Sequence, residues 1–330
     1  MLPFPITLLG PRDVREIRPD RTARAEQPTA APRKIRGYAD VAHETESGVL
    51  EQVVAQRVRL EKRLASVGAV IAIASGKGGV GKSAVTANLA VALAGRGARV
   101  GAVDADLNGP SLGRMLGLLR SRPLDGADGI VPPTGAGGVA GISTELLLEE
   151  GAALRWKGPG SDRFVWQGVT EAGVLRELLS DVVWGELDYL LVDIPPGTDK
   201  IARFLDLIPR PAQVLLVTIP SRVALSVVTR SVSLLQDADV ASVGLVGNMS
   251  GYTPAGAGSP VPLFSGGGVG ELAATTDLEV WAEIPFDPEL GRRTDAGDPP
   301  GARGGTRSAL AFLELAERVE RGPGGRDGAS

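Results

Sequence analysis

The sequence predicts an α/β protein, with a mostly parallel sheet flanked by helices, on three observations. Short apolar runs recur at 69–74, 99–103, 189–192, 214–218, 243–246 and 280–284, each the length of a buried strand. Apolar residues at helical spacing fall between several of them, as in 170–180 and 222–236, and such alternation implies right-handed strand-helix-strand units. The first run leads through a glycine-rich loop into a helical pattern at Val85, Leu89 and Leu93.

Composition agrees with that class. The 330 residues are 43% hydrophobic and 22% charged, enough for one large domain with appendages or two small ones. Aromatic residues make up only 4%, so the core is packed with Val, Leu, Ile and Ala. A net charge of −4 argues against the whole surface serving as a nucleic-acid platform. With no cysteine, the chain supplies no disulfide, thiolate zinc site or iron-sulfur ligand of its own. No run approaches the ~20 apolar residues that span a bilayer. The first ten residues lack a basic segment and contain Pro3 and Pro5, so a cytoplasmic chain is expected.

From the N-terminus, residues 1–37 read as a flexible tail rich in Arg and Pro, and 38–67 as a helical lead-in with Leu50, Val53, Val54, Leu60 and Leu64 at helical spacing. The tail places arginines at 12, 15, 18, 21 and 24, and residues 12–36 hold eight basic groups against four acidic. A solvated tail is compatible with that pattern, and so is a segment that docks onto an acidic surface, whether an unknown protein partner, nucleic acid or lipid. Residues 68–321 form the main domain. Within it, 125–141 is a glycine-rich surface hairpin or loop and 295–306 a Gly/Pro connector. A last helix at 308–321, with Leu310, Leu313 and Val319 inward, precedes a disordered tail at 322–330. His43 stands outside every motif, and the four tryptophans are too dispersed for a stacking platform.

The segment Gly76, Lys77, Gly78, Gly79, Val80, Gly81, Lys82, Ser83 fits the P-loop pattern G-x-x-x-x-G-K-[ST], after an expected strand and before an expected helix. Glycines let successive backbone N–H groups face a triphosphate, and the helix opening at Ala84 adds the positive end of its dipole. Lys82 is then expected on the β and γ phosphates of ATP and the Ser83 hydroxyl on Mg²⁺. The plainer alternative is a glycine turn made for tight packing. Lys77, an extra lysine after the first glycine, marks the deviant Walker A form; its plainer alternative is a solvated loop lysine.

Two strand ends carry carboxylates. Run 99–103 delivers Asp104 and Asp106, and run 189–192 delivers Asp193 in a Walker B pattern. Ligands of parallel sheets bind outside the carboxyl ends of strands, where such acids hold metal-bound water. A lone strand-end aspartate is more often a cap or turn former, but these stand beside a P-loop.

With these motifs in place, residues 70–319 resemble the Mrp/ApbC family of ATP-binding iron-sulfur cluster carriers, within the MinD/ParA (SIMIBI) superfamily. The likeness rests on Asp104 to Gly117 (D-A-D-L-N-G-P-S-L-G-R-M-L-G), Trp156 to Pro159 (W-K-G-P), Trp184 to Thr198 (W-G-E-L-D-Y-L-L-V-D-I-P-P-G-T), Val217 to Pro220, Asn248 to Ser250 (N-M-S) and Ile284 to Pro288. The resemblance implies a homodimer in which Lys77 reaches the partner's nucleotide. It also implies slow ATP hydrolysis with Asp106 positioning the attacking water, Mg²⁺ support from Asp104 and Asp193, and adenine contacts from Asn248 and Pro285. The chain departs from the family where C-x-x-C follows N-M-S: Thr253, Pro254, Ala255 and Gly256 stand there, so neither thiolate is present. Asp199 and Lys200 replace the usual Gly-Asp after P-P-G-T, and Lys157 replaces the usual Arg.

Three functions follow as expectations. The first is a nucleotide-gated adaptor or regulator that has lost its own cluster. The second is an iron-sulfur assembly factor that uses a partner's thiolates, and the third is a MinD/ParA-like positioning ATPase; a small-molecule kinase on the same loop is also conceivable.

Overall fold

The computed structural model describes residues 46–146, 163–209, 211–236, 238, 240–254, 259–265 and 268–322. Helix α1 (Glu46–Leu64) leads into strand β1 (Val67–Ala74), whose last five residues are all buried. The chain continues through α2 (Lys82–Gly95), β2 (Val100–Asp104), the single-turn α3 (Leu112–Met115), and β3 (Leu124–Gly126) paired antiparallel with β4 (Gly129–Val131). It then forms β5 (Ala140–Ile142), α4 (Arg163–Asp181), β6 (Leu187–Asp193), α5 (Thr198–Leu207), β7 (Ala212–Thr218), α6 (Arg222–Gln236) and β8 (Val240–Asn248). Helix α7 (Gly268–Thr276), β9 (Glu279–Ile284), α8 (Pro288–Asp295) and α9 (Arg307–Arg321) complete it.

Seven strands form one sheet in the order β5-β2-β6-β1-β7-β8-β9, with every adjacent pair parallel. Strand β1 lies in the middle because its residues are apolar on both faces. Val70, Ala72 and Ala74 meet α4, α5 and α6 on one side, and Ile71 and Ile73 meet α2 and α9 on the other. Each fully buried Leu, Ile or Phe of these two layers contributes ~1.5–3 kcal/mol relative to exposure. Among the described residues, no helix is long and apolar enough to cross a membrane.

All six expected strands are present, as are the helices expected at 49–64, 170–180, 222–236 and 308–321. The region 125–141 does contain the surface hairpin, but its end is misread as loop: Ala140–Ile142 pairs with β2 and becomes the edge strand of the main sheet. Its three residues include Gly141, where a Cβ would lie 2.5 Å from Leu118 Cδ1, so the glycine marks close packing as well as a turn. In α9, Leu310 is 52% exposed; the inward face is Ala311, Phe312, Leu315, Ala316 and Val319. In α1, Val54 points outward while Leu60 and Leu64 enter the core, so the lead-in docks through its last two turns. Residues 1–45, which include His43, lie outside the described residues, as do 147–162 with the W-K-G-P block, 255–258 and 323–330.

Candidate functional site

The carboxyl ends of β1, β2 and β6 converge because these strands are adjacent and in register. Ile73 pairs with Asp193, and Asp193 pairs with Asp104. The loop from Ser75 to Gly81 leaves β1 at that edge and turns into α2, with Gly79 at φ 79° and Gly81 at φ 81°, both in the left-handed region that favours glycine. A Cβ on Gly81 would lie 2.3 Å from Asn248 Nδ2. That amide, at the end of β8, donates to the Val80 carbonyl at 2.9 Å and so holds the loop from behind. Ser75 Oγ donates to the Lys77 carbonyl at 3.0 Å, and the Gly197 N–H donates to the Ser75 carbonyl at 3.0 Å. The loop is thus fixed by its own chain and by the ends of β6 and β8.

Gly81 is the N-cap of α2 and offers no side chain to cap it, and no acidic residue occupies the first turn. The first amides of this fourteen-residue helix therefore present their partial positive charge to whatever lies above the loop. Above it is a cleft of about 570 Å³, lined by Gly78 to Ala84 and by Asp106, Ser111 and Pro196.

Polar groups at the base of the cleft are buried and unevenly satisfied. Lys82 Nζ lies 2.5 Å from Asp193 Oδ1, which also accepts from Thr86 Oγ1 at 3.3 Å. Asp193 Oδ2 is buried with no hydrogen-bond partner. An unsatisfied buried carboxylate oxygen is costly, and one at the base of a glycine-lined cradle suits the water shell of a hard, oxygen-seeking cation. The hydroxyl of Ser83 and the carboxylate of Asp193 are oxygen donors of the kind that Mg²⁺ takes.

Asp104 is differently employed. Its Oδ1 accepts from the Asp106 N–H at 3.1 Å, and its Oδ2 from the N–H groups of Ser111 and Leu112 at 2.9 and 3.0 Å and from Ser143 Oγ at 3.3 Å. Burial, reinforced by the Asp193 charge, pushes its carboxyl up to about 7 against the pull of those amides. Geometrically Asp104 organises the loop that carries Asp106. Asp106 sits half-buried on the cleft wall and accepts from the Gly109 N–H at 3.3 Å.

Of the sequence-derived residues, Gly78, Gly79, Val80, Gly81, Lys82, Ser83, Ala84 and Asp106 line the cleft, and Asp104 and Asp193 lie beneath it. Gly76 packs against α6, where a Cβ would be 2.5 Å from Val227 Cγ1. Lys77 is half-buried on the loop. Asn248 contacts the loop itself, and Pro285 lies just past β9 in a segment tied to it: Ser250 N–H donates to the Ile284 carbonyl at 3.0 Å and Phe286 N–H to the Gly251 carbonyl at 2.7 Å. Thr86, Ser111, Ser143 and Gly197 were not anticipated in the site. Ser111 lies in the G-P-S motif and Gly197 in P-P-G-T, so their signal was present; Ser143 reaches Asp104 only through the edge strand.

Known proteins resemble the chain in sequence and fold. The ParA family model, described as NUBPL iron-transfer P-loop NTPase, matches residues 66–320. The chain is 33% identical over 297 residues to the iron-sulfur cluster carrier protein of Saccharolobus solfataricus, across 89% of this chain and 93% of that one. It is 36% identical over 245 residues to the iron-sulfur cluster carrier protein of Methanocaldococcus jannaschii, across 74% and 81% of the two chains. Among solved structures, a nucleotide-binding protein in complex with ADP from Archaeoglobus fulgidus aligns with a TM-score of 0.60 and 34% identity, over 73% of this chain and 91% of that one. The cell division ATPase MinD of Pyrococcus furiosus aligns with a TM-score of 0.53 and 26% identity, over 77% and 99%.

Proposed function

We propose that this chain, which belongs to the ParA family of NUBPL-type iron-transfer P-loop NTPases, binds ATP with Mg²⁺, hydrolyses it slowly as a homodimer, and acts as a nucleotide-gated adaptor or regulator. The observation that carries the reading is the glycine cradle on an uncapped helix, above a buried Lys82–Asp193 pair whose second carboxylate oxygen is unsatisfied. The ATPase domain is taken as 68–321, and α1 docks on it through Leu60 and Leu64.

The loop amides and the α2 N-terminus orient the β and γ phosphates, and Lys82 offsets their charge. Asp106, which also lines the cleft, orients the attacking water. Ser83 and Asp193 would hold the metal, with Asp104 fixing the loop that carries Asp106. Magnesium, when bound, supplies charge neutralisation on the phosphate oxygens. Lys77 reaches across the dimer to the partner's nucleotide, and Asn248 and Pro285 border the adenine.

Titration calorimetry with purified protein, ATP and Mg²⁺ tests the reading, and Lys82→Ala is expected to abolish uptake. Light scattering is expected to show ATP-dependent dimers that Lys77→Ala prevents. A chain that takes up no nucleotide, or takes it up unchanged without Lys82, sinks the proposal.

A second reading rests on the relatives' name as iron-sulfur carriers, set against a sequence with no cysteine. In it a partner chain, held in one version by the basic N-terminal tail, supplies the thiolates. Anaerobic reconstitution with iron and sulfide that yields no chromophore with any partner tested removes it.

A further inference from the structure

Outside the cleft, one side chain joins the two loops that carry the site's carboxylates. Glu171 lies in α4, far from both loops in sequence, and its side chain is 12% exposed. One carboxylate oxygen, Oε1, accepts from Asn108 Nδ2 at 2.9 Å. The other, Oε2, pairs with Lys200 Nζ, whose side chain is 26% exposed. We propose that Glu171 is a positioning residue for ATP hydrolysis, a clamp that sets Asp106 against the phosphate loop through Asn108 on one side and Lys200 on the other.

Asn108 occupies the third position of a tight turn closed by the Gly109 N–H on the Asp106 carbonyl at 3.3 Å, so restraining it restrains the aspartate two residues earlier. Lys200 stands in the first turn of α5, where its N–H donates to the Gly197 carbonyl at 3.2 Å, and the Gly197 N–H in turn rests on Ser75 of the phosphate loop at 3.0 Å. A single carboxylate therefore spans from the acid that faces water to the loop that faces phosphate.

A shallow, mostly apolar groove runs between α4 and α5, bordered by Leu175, Ile194 and Phe204, with Glu171 and Lys200 also lining it. The Lys200–Glu171 bond is charge-assisted and partly buried, and the Asn108 bond, though at the exposed surface, ends on the same carboxylate, so the two together are directional restraints on the loops they join. The pair also lies where this chain has Asp199 and Lys200 after P-P-G-T.

The inference rests on the ATPase reading above, and steady-state hydrolysis with parallel ATP-binding measurements on the full chain separates the two. Glu171→Ala is expected to lower kcat about tenfold while ATP affinity stays within about twofold and the melting temperature barely moves, as for a group acting only on the reacting geometry. Glu171→Gln, which can still accept from Asn108 but loses the ion pair, should fall between. The charge exchange Glu171→Lys with Lys200→Glu should recover part of the lost kcat. Wild-type turnover with an unchanged Glu171→Ala variant overturns the clamp alone. So does a parallel fall of kcat, ATP affinity and melting temperature, which would mark a merely structural role. A wild-type chain that binds ATP without hydrolysing it overturns the clamp and the hydrolytic half of the proposed function together.

Discussion

Lys82 Nζ and Asp193 Oδ1 meet at 2.5 Å although 111 positions separate the residues, and both side chains are withdrawn from water, at 7% and 0% exposure. The contact exists because β1 and β6 are neighbours in the sheet and the helix after β1 folds its first residue back over the end of β6. Removing one partner of such a pair leaves an uncompensated buried charge.

Lys82→Met should therefore cost ~3–5 kcal/mol of stability in urea unfolding, in addition to abolishing nucleotide uptake. Adding Asp193→Asn should recover a good part of that stability without restoring uptake. Equal stability of the single and double variants would show that the pair is not coupled.

Asp106 lines the cleft while Asp104, two residues earlier, is saturated by loop amides. Asp106→Ala is expected to keep ATP affinity within a few-fold and to reduce kcat by ~10²–10⁴. Asp104→Ala should instead lower the melting temperature, because four donors lose their acceptor. Matching kinetic losses with no change in melting temperature would contradict this division of labour.

Gly81 and Asn248 are in contact by necessity. Gly81→Ala places a Cβ 2.3 Å from the Asn248 amide at a φ of 81°. It should destabilise by ~2 kcal/mol or more and weaken ATP binding, and Asn248→Ala should cost ~1 kcal/mol through the lost bond to Val80. The double variant should lose less than the sum, since the clash disappears and only the backbone strain and the lost bond to Val80 remain. Thermal melts and ATP titrations of the three variants decide it.

Glu177, on the face of α4 toward α1, has its carboxyl pushed up to about 7, first by burial and then by the Asp181 charge, against a weaker pull from Arg59. Its folded pKa lies above its unfolded one. The folded state therefore binds the extra proton, and this group's contribution is present below about pH 4.5 and lost as pH rises toward 7. Glu177→Gln should remove that part of the pH dependence and raise stability at pH 8 by ~1 kcal/mol, a figure discounted for the group's partial exposure. Urea midpoints at pH 5 and 8 measure it; an unchanged slope between them would refute the assignment.

Much of the molecule was legible in the sequence. Continuous apolar runs such as 189–192 and 214–218, flanked by turn residues, read as strands of a covered parallel sheet, and a G-x-x-x-x-G-K-S stretch between strand and helix leaves little freedom in its backbone. The harder features were short or decided by neighbours. Ala140–Ile142 has no periodicity of its own and is a strand because β2 offers it an edge. Leu310 fits a helical stripe, yet the stripe that packs is one residue over, through Phe312 and Leu315, because β9 and α2 decide which side of α9 is inside.

By itself, the order of residues determined the parallel α/β class, the phosphate loop with Lys82 and Ser83, and three acids at strand ends. These are local matters of glycine freedom, apolar run length and position after a strand. Tertiary structure decided which acid does what. It bound Asp104 to loop amides, left an oxygen of Asp193 bare beside Lys82, set Asp106 on the cleft wall, and brought Glu171 between Asn108 and Lys200. The physical reason is that burial and hydrogen-bond partners come from whichever strands and helices are neighbours in space, and those neighbours are dozens of residues away along the chain.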